Sequence, residues 1–102
     1  MADVVNKIKN LEELAKLGGK DEVFILTIDK LTRYKKDKLA EDLKEIEAQM
    51  RSFEDEYAMN SADFILKFDK GEVGDNIDFM EWASLCDMQK RIQDRLILLE
   101  GV

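Results

Sequence analysis

The chain lacks histidine and proline altogether and has a single cysteine, a single tryptophan and five glycines in 102 residues. Without histidine, the commonest general base and metal ligand is missing, which removes most familiar catalytic constellations. Without proline, no helix is kinked or broken by an N-substituted residue. One cysteine, Cys86, cannot close a disulfide within the chain, and a reducing cytoplasm is the expected compartment. No apolar run approaches the roughly 18 residues of a membrane span. The N-terminal residues Met1, Ala2, Asp3, Val4 and Val5 show no signal-peptide pattern.

What remains is apolar and charged, the composition of a helix-rich chain. Acidic residues outnumber basic ones by 23 to 16, a net charge of −7. That balance disfavours general nucleic-acid binding and suits solubility or a basic protein partner. The length bounds the chain to one small domain, 1–102, with limited apolar burial, for which oligomerisation is the usual remedy.

Two heptad runs dominate the pattern. Leu39, Leu43, Ile46, Met50, Phe53 and Tyr57 alternate steps of four and three. Trp82, Leu85, Ile92, Leu96 and Leu99 fall on the same grid, with Gln89 at a polar register position. Each run is a narrow apolar seam that must meet another. The spacing predicts an all-α protein with helices over about 3–17, 21–58, 61–69 and 76–99. The two seams are expected to close as an antiparallel helical hairpin, with the short third helix at its corner, in an oligomeric bundle. Asp3 is a candidate cap for the first helix, Asn60 for the third, and Asp75 or Asn76 for the last. Gly18, Gly19, Gly71 and Gly101 mark helix ends.

The seam slips between Leu31 and Leu39, a stutter that locally unwinds a supercoil. Upstream, Val23, Phe24, Ile25 and Leu26 are four consecutive apolar residues, followed by Ile28 and Leu31. On a helix they point all round the wheel, and one neighbour cannot cover them. Val23–Ile28 also suits a β-strand, though a lone strand needs a partner edge. As a helix, the segment is expected to overhang the hairpin and dimerise, with helix 3–17 joining in.

The basic cluster Lys30, Arg33, Lys35, Lys36 and Lys38, with Tyr34 among its cations, is the one nucleic-acid candidate. Its plainer reading is a solvated helix face that also pairs with the acidic stretch, beginning at Glu41, of a neighbouring chain. The carboxylates Asp69, Glu72, Asp75, Asp78 and Glu81 invite a calcium loop. Counting from Asp69, however, the required oxygen-ligand positions hold Asp69, Gly71, Val73 and Met80. Cys86, with no histidine to activate it, reads as a small buried side chain. No catalytic group, cofactor or metal is expected.

Residues 53–88 carry a further pattern. Phe53, Glu56, Tyr57, Met59 and Ser61 precede Phe64 and Phe68, then Gly71, Glu72, Gly74, Asp75, Asp78, Phe79, Glu81, Trp82 and Met88. In words, it is a Tyr-x-Met-x-Ser helix start, a Phe-x-x-x-Phe helix, Gly-Glu-x-Gly-Asp and Asp-Phe-x-Glu-Trp. This resembles small archaeal and bacterial helical proteins, some of them antitoxin-like partners of TumE-type toxins. The resemblance implies a non-enzymatic protein that masks a small protein partner. The alternatives are a structural homo-oligomer or assembly adaptor and, behind it, a coiled-coil nucleic-acid binder using residues 30–38.

Overall fold

A computed structural model describes residues 2–100. They form four helices: α1, Ala2–Lys16; α2, Glu22–Tyr57; α3, Ser61–Asp69; and α4, Ile77–Glu100. No strand occurs among the described residues. The choice between helix and strand for Val23–Ile28 is thus resolved as helix, opened by Asp21, whose Oδ1 accepts from the Phe24 N–H at 2.8 Å. Asp3 lies within the first turn of α1 rather than at its cap, where its charge still favours the positive helix end. The stop expected at Gly101 lies outside the described residues.

Helix ends follow from backbone chemistry. At the end of α1, the Gly19 N–H bonds the Leu14 carbonyl and the Gly18 N–H that of Ala15. Gly18 sits in the left-handed region at φ 89°. The same pairing closes α3, from Glu72 to Lys67 and from Gly71 to Phe68, with Gly71 at φ 71°. α2 ends alike, the Met59 N–H reaching the Glu54 carbonyl, but the left-handed residue there is Ala58, at φ 52°. Asn60 caps α3 by accepting from the Asp63 N–H, and Asn76 caps α4 by accepting from the Asp78 N–H, each at 2.8 Å.

By internal contact the chain divides into two units, Met1–Tyr34 and Lys35–Val102. The first holds α1 and the opening turns of α2. None of its described residues is buried; Ala15, Gly19, Phe24 and Thr32 are half-buried.

The second unit has a core. Ile46 and Met50 of α2, Phe64 of α3, and Trp82, Leu85 and Ile92 of α4 are buried together. Leu39, Leu43, Phe53, Tyr57 and Leu96 pack against them, half-buried. Contacts descend α2 as they ascend α4: Tyr57 Oη donates to Asp78 Oδ2 at 2.6 Å, and Gln89 Nε2 donates to Glu47 Oε2 at 2.9 Å. The polar seam residue Gln89 is thereby satisfied across the interface, which fixes register without leaving an orphaned amide.

The corner where α2, α3 and α4 meet is aromatic. Trp82 and Phe64 are wholly buried and stack at 3.9 Å between ring centroids, 4° from parallel. Phe53 stacks on Trp82 at 5.8 Å, and Tyr57 meets Phe79 edge-on at 5.0 Å. A polar thread runs through the rings. Trp82 Nε1 donates to Ser61 Oγ at 2.9 Å, and the Ser61 N–H donates to Glu54 Oε2 at 2.7 Å. Ion pairs contribute little by comparison: those seen among the described residues are exposed and lie within single helices, such as Lys16–Glu12 at 3.2 Å.

Candidate interaction surface

Six residues expected to face another molecule, Val23, Phe24, Ile25, Leu26, Ile28 and Leu31, all lie on α2 in the first unit. Successive helical residues are about 100° apart, so Phe24, Ile28 and Leu31 share one side while Ile25, Leu26 and Val23 continue round the remainder. Phe24 is half-buried. The other five are between 43% and 73% exposed. α1 repeats the pattern: Val4, Val5, Ile8, Leu11 and Leu14 are all exposed, as is Leu17 just beyond its end. A folded chain scatters single apolar residues on its surface, but a contiguous apolar stretch marks a contact surface. Helix formation makes this surface inescapable, because the backbone satisfies its own hydrogen bonds while the side chains radiate outwards.

The basic cluster falls on both sides of the division between the units. Lys30 and Arg33, three residues apart on one flank of α2, are exposed in the first unit. In the second, Lys35 and Lys38 are exposed and Lys36 is half-buried. Tyr34, beside them in sequence, is exposed.

The titratable groups with perturbed environments belong to the aromatic corner. The hydrogen bond from Tyr57 to the Asp78 carboxylate raises the phenol above its ordinary value of 10.0, with burial and the same carboxylate's charge acting in the same direction. Burial pushes the Cys86 thiol up, and it is half-buried rather than fully enclosed. A raised thiol has less thiolate at neutral pH and is a poorer nucleophile. No group of three or more His, Cys, Asp or Glu side chains converges among the described residues. No helix among them is long and apolar enough to cross a membrane.

Sequence reasoning missed the Glu54–Ser61–Trp82 thread. Its signal was the serine immediately after the Asn60 cap, one helical turn from the aromatic Phe64. No protein-family model, curated protein or solved structure matches the chain.

Proposed function

We propose that the chain is a non-enzymatic protein–protein interaction module of the cytoplasm that pairs with itself through residues 23–31. The exposure of Val23, Ile25, Leu26, Ile28 and Leu31 on a well-formed helix carries this reading. Burial of apolar surface is worth about 25 cal/mol per Å², and these side chains leave that gain unclaimed in the single chain. In this reading α2 and α4 make an antiparallel hairpin with a coiled-coil-like seam, supported by the opposed order of the Tyr57–Asp78 and Glu47–Gln89 contacts. The exposed face of α1 joins the assembly, giving a helical bundle.

The negative charge favours a basic protein as the further partner, masked as an antitoxin masks a toxin. The substitution Ile25→Glu tests the self-pairing. It places a charge in the contact while leaving the helix backbone intact. The sedimentation coefficient should fall towards that of the monomer, with far-UV circular dichroism retained. An unchanged assembly would move the interface elsewhere.

A further inference from the structure

The second unit has an open side. α3 lines one flank of the α2 and α4 pair, where its Ser61 and Ala62 lie beside Glu47 and Met50 of α2 and Gln89 of α4. The opposite flank is an open groove of about 420 Å³. Leu39 and Ile46 of α2 and Met88 and Ile92 of α4 give it an apolar lining. Its two rims carry opposite charge. Asp42 and Glu45 stand on the α2 rim, and Arg91 and Arg95 on the α4 rim.

The register of the pair sets these charges opposite one another. Glu47 meets Gln89, so Glu45 lies level with Arg91 and Asp42 level with Arg95. No ion pair bridges the rims among the described residues; Arg91 instead pairs with Asp87 on its own helix. The groove holds the two rows of charge apart.

We propose that a second copy of the chain seats on this groove, related by a two-fold axis that runs along it. Such an axis lays α2 of each copy over α4 of the other at the same height. Asp42 then meets the partner's Arg95, Glu45 meets the partner's Arg91, and the same contacts recur on the other side. A self-complementary patch of this kind is what a two-fold interface requires. A two-fold axis lying across the helices would set α2 on α2 and α4 on α4, acid on acid and base on base. The charge pattern therefore selects the lengthwise axis. Met88 is 42% exposed in the single chain, and Leu39 is half-buried. Both are covered in the pair, while Ile46 and Ile92 already lie in the core below. This contact goes beyond the one at residues 23–31 and does not depend on it.

Two full-length charge-swapped chains test the proposal. One carries Asp42→Lys with Glu45→Lys, and the other Arg91→Glu with Arg95→Glu. Each alone brings like charges together at four places, and its self-association should weaken about tenfold or more. Mixed, the two restore every opposite-charge contact, and native mass spectrometry should show the mixed pair in excess over a statistical distribution. A statistical mixture, with each chain associating as the parent does, would overturn the proposal.

If either swap unfolds its chain, Arg91→Gln with Arg95→Gln replaces it. That chain should associate more weakly than the parent at low salt and lose the parent's salt dependence, whereas parental behaviour would again overturn the proposal. The Ile25→Glu chain separates the two contacts. Selective pairing of the swapped chains with no effect of Ile25→Glu would leave the groove standing and remove the contact at 23–31. The reverse pattern would remove the groove.

Discussion

Removing the Ser61 hydroxyl should destabilise the second unit far more than loss of one oxygen atom suggests. Trp82 is wholly buried, and its indole N–H has Ser61 Oγ as its partner at 2.9 Å. Ser61→Ala leaves that N–H without an acceptor inside a stack of aromatic rings. A buried donor deprived of its partner costs about 1–3 kcal/mol. For a unit of this size each kcal/mol shifts the melting temperature by roughly 4–8 °C, so a fall of about 4–24 °C is expected. Trp82 is the sole tryptophan in the sequence, so its fluorescence reports on this corner without interference. A double-mutant cycle isolates the bond. In a Trp82→Phe background the donor is gone, and Ser61→Ala should then cost about 1–3 kcal/mol less than in the parent. An equal cost in both backgrounds, or a Ser61→Ala chain that melts with the parent, would refute the reasoning.

Other consequences of the structure are open to measurement. Ala58 is left-handed at φ 52°, a conformation that disfavours any residue with a Cβ, so Ala58→Gly should raise stability by up to about 1 kcal/mol in a urea titration. Gly71 is left-handed at φ 71° with open space where a Cβ would sit, so Gly71→Ala should lower stability by about 1–2 kcal/mol through the backbone alone. Tyr57 holds its proton more tightly in the folded chain than at its ordinary value of 10.0. Its contribution is therefore present below pH 10 and lost as the pH rises through the folded value. Thermal melts at increasing pH should show an alkaline decline that is smaller in Tyr57→Phe. Ile46→Ala, in the buried core, should cost about 2–5 kcal/mol, whereas Leu43→Ala at a half-buried position should cost less; equal losses would contradict the burial order.

The heptad grid makes the core of the second unit legible in the sequence. Ile46, Met50, Trp82, Leu85 and Ile92 are buried as their spacing requires, and Gln89 reaches across the seam to Glu47. Periodicity reports which face of a helix is apolar, and burial follows from it. The heptad slip between Leu31 and Leu39 reads in the sequence as a stutter within one domain; the division between the units, at Tyr34 and Lys35, falls inside it. Other features depend on pairing distant residues, which periodicity does not encode. The bond from Trp82 to Ser61 and that from Tyr57 to Asp78 each join residues 21 apart on different helices. The left-handed turn at Ala58 was hidden because alanine carries no turn signal, unlike Gly18 and Gly71 at equivalent helix ends. The opposed rims of the groove were visible only as Asp42 and Glu45 three apart and Arg91 and Arg95 four apart. The register of α2 on α4 is what sets them face to face.

The molar mass of the unmodified full-length chain in solution, followed by sedimentation equilibrium from low to high micromolar concentration, bears most directly on the proposed self-pairing. The exposed apolar surface of residues 23–31 predicts a dimer or larger assembly that dissociates only on dilution. A mass that stays at 11.8 kDa throughout would contradict it.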